Sequence, residues 1–161
     1  MATARDAAWQ LRPGTAADAA AVEQLSARSF DPAFREAWSA EQLVRGLDDP
    51  GAFLLLGRGA DGDLLGFALT RTVAGEAELL LCAVAPTFRR RGLASALVAA
   101  AMAEARQRGA RRLYLEVREN NVGARQLYES LGFVPVGARP GYYKSVTGSA
   151  ASAITLSRLL D

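Results

Sequence analysis

The chain has 161 residues, half of them hydrophobic, which predicts a single globular domain over residues 1–161 with a substantial core. The formal net charge is only +2 and there is no histidine, which excludes the Ser-His-Asp triad, the Cys-His pair and His-ligated metal sites. With Cys82 as the single cysteine, no intramolecular disulfide can form, which fits a reducing compartment. Neither a leader nor a membrane span is predicted, so we expect a cytoplasmic protein without a membrane partner.

The first half of the chain predicts one strand, two helices and a hairpin. Two segments have the Ser/Thr-x-x-Asp/Gln form of a capping box, which begins a helix. Asp61-Gly62, a dipeptide typical of hairpin turns, separates two apolar runs. The predicted elements are a strand over residues 9–12 that ends at Pro13-Gly14, helices over 15–28 and 39–47, and strands over 52–58 and 64–73.

The second half alternates strands with helices. Glycine or proline stands near the end of several apolar segments, where either residue stops an element. The predicted elements are strands over residues 76–84, 112–117, 133–138 and 153–159, helices over 91–107 and 122–131, and a chain turn at Pro140-Gly141. The order β-α-α-β-β-β-α-β-α-β-β predicts a mixed α/β domain built around one sheet.

A basic turn, Thr-Phe-Arg-Arg-Arg-Gly-Leu-Ala at residues 87–94, joins a buried strand to the Ala-rich helix. A helix N-terminus presents free backbone N–H groups and a partial positive charge. Gly92 lacks the Cβ that would keep a phosphate away, and the preceding arginines add positive charge. The turn is therefore predicted to bind an anion. The alternative is an ordinary helix start with solvated arginines.

Two further motifs follow this turn in a fixed order. The first is Leu-Glu-Val-Arg-Glu-Asn-Asn at residues 115–121, and the second is Leu-Tyr-Glu-Ser-Leu-Gly-Phe at 127–133. Together with the Arg-x-x-Gly-x-Ala turn, they resemble the GNAT superfamily of N-acetyltransferases over about residues 9–159. Residues 115–121, Tyr142-Tyr143 and Trp38-Ser39 resemble the RimI-type ribosomal-protein alanine N-acetyltransferases in particular.

The resemblance implies a fold, a cosubstrate and a role for each matching residue. The fold would be the GNAT fold, a single mixed and largely antiparallel sheet flanked by helices. Acetyl-CoA would be the cosubstrate, without a metal, and the acceptor would be a protein N-terminus such as that of a ribosomal protein. Glu116 would be the general base and Tyr128 the general acid. Cofactor-binding residues would be Cys82, Ala83, Val84, Arg89, Arg90, Arg91, Gly92, Leu93, Ala94, Ser95 and Asn121, and substrate-binding residues Trp38, Tyr142 and Tyr143.

The residue types are chemically consistent with these roles. Without histidine, a carboxylate is a natural base to deprotonate the attacking amine, directly or through water. An α-amine with a pKa of about 7.7–8.0 is easier to deprotonate than lysine at about 10.4, a difference worth about 3.4 kcal/mol. A carboxylate therefore suits an N-terminal amine better than a lysine. A tyrosine near pKa 10 stays protonated until the departing thiolate needs its proton.

Structural interpretations compete with each role. Glu116 could be one half of an ion pair with Arg118, and Tyr128 could be a core residue with a satisfied hydroxyl. Cys82 is interpreted as a small buried apolar residue rather than an acyl-carrying nucleophile. Tyr142 and Tyr143 either line the peptide site or cover the sheet.

Two departures from the RimI-type pattern leave the acceptor open. Ala37 replaces the usual proline before Trp38-Ser39, and the last strand begins with Ala151-Ser152-Ala153 rather than with an acidic residue and alanine. One alternative is acetylation of a small amine or a lysine in an acidic pocket to which Glu76, Glu78 and the acids of loop 30–38 contribute. Others are an acyl-CoA-binding module without turnover and, less expected, a nucleic-acid binder.

Overall fold

The computed structural model describes residues 8–30, 36–144 and 150–161. Within them, seven strands form one sheet in the order β1-β2-β3-β4-β5-β7-β6. The strands are β1 (Trp9–Gly14), β2 (Ala52–Gly59), β3 (Leu64–Val73), β4 (Glu76–Val84), β5 (Arg112–Arg118), β6 (Val134–Lys144) and β7 (Ala150–Leu159). The helices are α1 (Ala19–Ser29), α2 (Ala40–Leu47), α3 (Leu93–Gln107) and α4 (Val122–Ser130).

The sheet is antiparallel except where β4 meets β5. That parallel pair requires a crossover, which α3 provides. The two strands are in register at only three positions, from Glu76 opposite Arg112 to Glu78 opposite Tyr114. Beyond them β4 stays paired with β3 and β5 with β7, so the sheet opens into a wedge. The predicted class, a mixed and largely antiparallel sheet flanked by helices, is confirmed.

Two apolar cores lie on opposite faces of this sheet. On one face, Leu97 and Val98 of α3 pack with Leu113, Leu115 and Val117 of β5. On the other face α1 and α2 cover β2, β3 and β4, and the buried apolar residues of the two helices are Ala19, Val22, Leu25 and Leu43. Alternate residues of a strand point to opposite faces, so Tyr114, Glu116 and Arg118 of β5 face away from α3.

A bulge in β4 changes which side chains face each core. The register moves from Thr70 opposite Leu79 to Leu69 opposite Leu81, which leaves Leu80 as an extra residue. Before the bulge Leu79 packs in the α3 core, whereas after it Leu81 packs in the α1–α2 core. One inserted residue reverses the alternation of a strand, and Cys82 thereby comes to face α3.

Both predicted capping boxes are present. The Thr15 hydroxyl accepts a hydrogen bond from Ala17 N, and Asp18 accepts one from Thr15 N, at the start of a 3-10 turn that leads into α1. Ser39 and Gln42 make the reciprocal pair at the start of α2. These side chains satisfy backbone N–H groups that have no partner within a helix.

Three predicted strand ends were wrong by two residues or more. The first strand continues through Pro13 to Gly14, because β1 is an edge strand in which a missing N–H is tolerated. Pro140-Gly141 is not a chain turn but part of a bulge inside β6, which runs on to Lys144. The last strand begins at Ala150, three residues early, because β6 extends far enough to pair with it.

Two paired glycines allow α3 to sit directly on the sheet. Gly57 of β2 is opposite Gly66 of β3, and Leu93, the first residue of α3, is buried over both. A Cβ on Gly57 would lie 2.7 Å from Leu93 Cδ1, and one on Gly66 would lie 3.1 Å from Leu93 Cδ2. Gly66 is also opposite Val84, so this contact fixes the start of α3 beside the end of β4.

We expect Gly57→Ala to destabilise the protein by about 1–3 kcal/mol, because the added methyl overpacks Leu93. Gly137→Ala is the matched control, since a Cβ at this strand position meets only Thr155 Cβ at 3.9 Å. Urea unfolding of both variants measures the difference. If the Gly57→Ala and Gly137→Ala variants have equal free energies of unfolding, the packing of Leu93 on the sheet does not require a glycine at position 57.

Candidate active site

A cleft of about 420 Å³ occupies the wedge between β4 and β5. Both strands contribute side chains to it beyond the three positions at which they pair. The N-terminus of α4, the segment before α2 and the bulged part of β6 complete the wall. The lining residues are Phe30, Glu36, Trp38, Glu78, Leu79, Leu80, Leu81, Cys82, Leu115, Glu116, Val117, Asn121, Ala124, Tyr128 and Tyr142.

The cleft reaches both faces of the sheet. Cys82, Ala124 and Tyr128 pack against the α3 core, whereas Phe30 and Trp38 pack against the α1–α2 core. All five line the same cavity. One molecule can therefore enter from the α3 face and a second from the α1–α2 face, and the two can meet within the wedge.

The basic turn has the backbone geometry of an anion site. Arg90 and Gly92 have φ values of +61° and +85°, and Gly92 is the N-cap of α3. Glycine has no side chain with which to cap the helix, so the N–H groups of the first turn are left for a ligand. Left-handed residues within a turn direct successive N–H groups into one concavity.

The arginines flanking Arg90 make contacts within the protein. The Arg89 guanidinium donates to the carbonyl of Ser29 at the end of α1, with a distance of 2.8 Å. The Arg91 guanidinium lies 4.7 Å from the centre of the Phe88 ring. These contacts hold the turn in place, while the Arg90 side chain is exposed and adds positive charge beside it.

Tyr128 lies on α4 and is half-buried at the cleft wall. Its ring meets Phe133 edge to face, with centroids 5.7 Å apart. Burial, and secondarily the neighbouring Cys82, raises the pKa of its hydroxyl well above the usual value. The phenol is therefore neutral at physiological pH.

Asn121 joins the cleft through the helix that carries Tyr128. Its Oδ1 accepts a hydrogen bond from Ala124 N at 3.2 Å, which caps α4. The side chain also lines the cleft. Asn121 therefore fixes the start of α4 and borders the space that a ligand would fill.

Cys82 faces the cleft beside Tyr128 but is not an activated thiol. Burial raises the pKa of its thiol to about 12. Since the thiolate is the nucleophilic form, this environment disfavours an acyl-cysteine intermediate. The predicted interpretation of Cys82 as a small buried residue fits its packing against the α3 core.

Glu116 lines the cleft on the opposite face and forms an ion pair, though not with the partner that the sequence suggested. Its Oε1 lies 3.1 Å from Arg139 Nη2. Arg118 instead pairs with Glu36, with 2.7 Å between Nε and Oε1, and that pair is largely buried. The Arg118–Glu36 pair ties the segment before α2 to the end of β5.

The predicted acceptor-side residues are only partly described. Trp38 and Tyr142 line the cleft, and Tyr142 is 52% exposed. Tyr143 pairs with Ala151 through its backbone, and its side chain lies outside the described part of the chain. Phe30 was not predicted as a site residue, because it belongs to no recognisable motif, and Glu36 was included only among the acids of loop 30–38.

Comparison with known proteins decides the family. Residues 19–133 match the model of the "Acetyltransferase (GNAT) family". The chain belongs to the GNAT family of acetyltransferases. GNAT acetyltransferases use acetyl-CoA, which is therefore the donor here.

Several relatives have one activity in their names. The [ribosomal protein bS18]-alanine N-acetyltransferase of Haemophilus ducreyi is 35% identical over 124 residues, or 76% of this chain and 83% of that protein. The Escherichia coli K12 protein of the same name is 42% identical over 88 residues, which is 55% of this chain and 60% of the E. coli protein. The crystal structure of the E. coli S18-alanine enzyme matches with a TM-score of 0.85 and 30% identity, over 95% and 94% of the chains.

This GNAT acetyltransferase also has the fold of the E. coli S18-alanine enzyme, as the TM-score over nearly the whole chain shows. Among the residues described, no helix has both the length and the apolar character needed to cross a membrane.

We expect Gly92→Glu to weaken acetyl-CoA binding at least tenfold, because a carboxylate at the N-terminus of α3 repels a pyrophosphate. The side chain has room within the protein, since a Cβ there lies 3.8 Å from its nearest neighbour, Trp9. Isothermal titration with acetyl-CoA measures the effect.

Gly109→Glu is the matched control at the other end of the same helix. Gly109 has φ of +92° and open space around it, so this substitution adds the same charge and similar backbone strain. Equal losses of affinity in the two variants would contradict an anion site at the start of α3.

Proposed function

We propose that this acetyltransferase, a single domain over residues 1–161, transfers acetyl from acetyl-CoA to the N-terminal α-amine of a protein. The alanine N-terminus of a ribosomal protein is the first candidate acceptor, because relatives carry that activity in their names. The observation that carries the proposal is the cleft that passes through the sheet, with Glu116 on one face and Tyr128 on the other.

Acetyl-CoA is proposed to bind on the α3 face. Backbone N–H groups of residues 90–95, together with the charges of Arg89 to Arg91, would hold the pyrophosphate. Beyond Glu78, β4 has no strand on its β5 side among the described residues, so its backbone can pair with the pantetheine arm at Cys82, Ala83 and Val84. A backbone N–H of this stretch is also available to stabilise the oxyanion, and Asn121 borders the same space.

The acceptor is proposed to approach from the α1–α2 face. Trp38, Tyr142 and Tyr143 would contact the residues that follow the reacting amine. Glu116 would accept the ammonium proton, directly or through one water, and free the nitrogen lone pair. A carboxylate accepts several hydrogen bonds, so its contact with Arg139 still leaves acceptor capacity for an amine or a water.

Transfer then proceeds in one ternary complex. The amine nitrogen attacks the thioester carbon, the C–N bond forms and the C–S bond breaks. As negative charge develops on the sulfur, the Tyr128 hydroxyl donates its proton, and CoA leaves as the thiol. No acyl-enzyme is needed, in keeping with the raised pKa of Cys82.

Acetylation of lysine or of a small amine is the second candidate. Glu36, Glu78 and Glu116 all line the cleft, and carboxylates favour any cationic acceptor. Each of the three forms an ion pair with an arginine. The pairs are Glu36 with Arg118, Glu116 with Arg139 and Glu78 with Arg71. The pocket is therefore less acidic than its carboxylates alone suggest.

We expect CoA release with a short peptide that begins with alanine, and none with the same peptide when its N-terminus is blocked and it carries an internal lysine. Thiol release under steady-state conditions measures both. Turnover of the blocked peptide would contradict N-terminal specificity. Tight acetyl-CoA binding without turnover of either peptide would move the acceptor to a small molecule or indicate a non-catalytic module.

We expect Tyr128→Phe to lower kcat by about 10²- to 10⁴-fold, the usual contribution of a positioned proton donor. The affinity for acetyl-CoA should stay within about twofold of the wild-type value, because the ring and its packing remain. Tyr114→Phe is the matched control, since Tyr114 is half-buried on β5 but does not line the cleft. A near-normal kcat for Tyr128→Phe would make the hydroxyl structural.

A further inference from the structure

Arg139 reaches Glu116 across an intervening strand. In the sheet order β5-β7-β6, Glu116 of β5 is opposite Thr155 of β7, while Arg139 of β6 is opposite Ala153. Two strand spacings separate β5 from β6, roughly 10 Å. Only a long side chain spans that distance, and the contact closes at 3.1 Å between Arg139 Nη2 and Glu116 Oε1.

The bulge in β6 gives Arg139 a second contact. The register jumps from Arg139 opposite Ala153 to Tyr143 opposite Ala151, so three residues of β6 lie against Ser152 alone. Gly141 has φ of +63° and its N–H donates to Ser152 Oγ at 3.4 Å. This path brings the Tyr142 ring beneath the Arg139 guanidinium, 5.0 Å from the ring centre.

The two partners of the Arg139–Glu116 ion pair differ in their exposure to solvent. The Arg139 side chain is 58% exposed, whereas Glu116 is 23% exposed and lines the cleft. An ion pair in which one partner is exposed adds little stability. The pair is therefore expected to contribute little to the stability of the fold. It does hold one carboxylate oxygen of Glu116, which lines the cleft.

A second ion pair on the same face provides a comparison. Arg71 lies 3.3 Å from Glu78, with both side chains over 40% exposed. The Arg71 and Arg139 pairs border one side cavity, which adjoins the cleft along Glu78 and Glu116. The pairs are similar in chemistry, but only Glu116 has been proposed as the base.

We propose that Arg139 is a positioning residue for Glu116, an inference that rests on the proposed function. The guanidinium holds Oε1 and so restricts rotation of the carboxylate, which directs the remaining acceptor capacity toward the amine or its bridging water. Stacking on Tyr142 limits the motion of the guanidinium in turn. Arg139 does not touch the reacting atoms and acts only through Glu116.

The first measurement is kcat and KM for Arg139→Gln, with an alanine-initiated peptide and acetyl-CoA. Misplacement of a reacting group by about 1 Å costs up to 10²-fold, so we expect kcat to fall between about fivefold and fiftyfold with acetyl-CoA affinity unchanged. Arg139→Lys should recover part of the loss, because it keeps the charge but not the planar fork. Arg71→Gln, the matched control, should change kcat less than about twofold.

The deciding measurement is a double-mutant cycle that combines Arg139→Gln with Glu116→Gln. Because these variants are slow, acetylated peptide is detected by mass spectrometry at high enzyme concentration. If Arg139 acts through Glu116, Arg139→Gln has no further effect on kcat in the Glu116→Gln background. An equal loss in both backgrounds would overturn the inference, as would an Arg139→Gln variant with unchanged or higher kcat, or one that changes only the KM for the peptide.

The same cycle separates this inference from the function on which it rests. Glu116→Gln with wild-type kcat overturns the proposed base, and the positioning role falls with it. A slow Glu116→Gln variant together with a normal Arg139→Gln variant overturns the positioning role alone. Thermal unfolding of each variant checks the fold, which substitution of a mostly exposed arginine should preserve.

Discussion

The short parallel contact between β4 and β5 is the constraint on which the candidate site depends. Three residue pairs join the strands at Glu76–Glu78, after which each strand keeps only its antiparallel neighbour. Backbone N–H and C=O groups along the opened edge must find other partners. A ligand that lies in the wedge can complete this hydrogen bonding, which explains how a continuous sheet accommodates a deep cleft in its middle.

The bulge at Leu80 determines which side chains of β4 face each side of the sheet within the wedge. Without the extra residue, Cys82 would face the α1–α2 core and Leu81 the α3 core. With it, β4 presents the small side chain of Cys82 beside α4 and Tyr128. Bulges frequently redirect side chains next to active sites. Here the redirection places a small residue where a pantetheine arm would need space.

Local signals in the sequence predicted the local features of the fold. The capping boxes, the Asp61-Gly62 hairpin and the glycine at the start of α3 each depend on a few neighbouring residues, and each appears in the structure. The bulges at Leu80 and in β6 depend on register with a partner strand, which no local pattern encodes. The same holds for the contact between Glu116 and Arg139, because residues far apart in sequence meet only through the order β5-β7-β6.

Separation of the two proposed proton-transfer groups is a consequence of strand geometry. A carboxylate next to a phenol would accept its hydrogen bond, and the phenol's single O–H would then be occupied rather than available to a substrate. Glu116 points away from α3, whereas Tyr128 packs against the α3 core, so the thickness of the sheet lies between them. The thioester carbon is expected in that gap, where an amine arrives from one face and a thiol leaves from the other. In a chain without histidine, the proposed base and acid can thus be two ordinary side chains, because the sheet keeps the phenol of Tyr128 from donating its hydrogen bond to the carboxylate of Glu116.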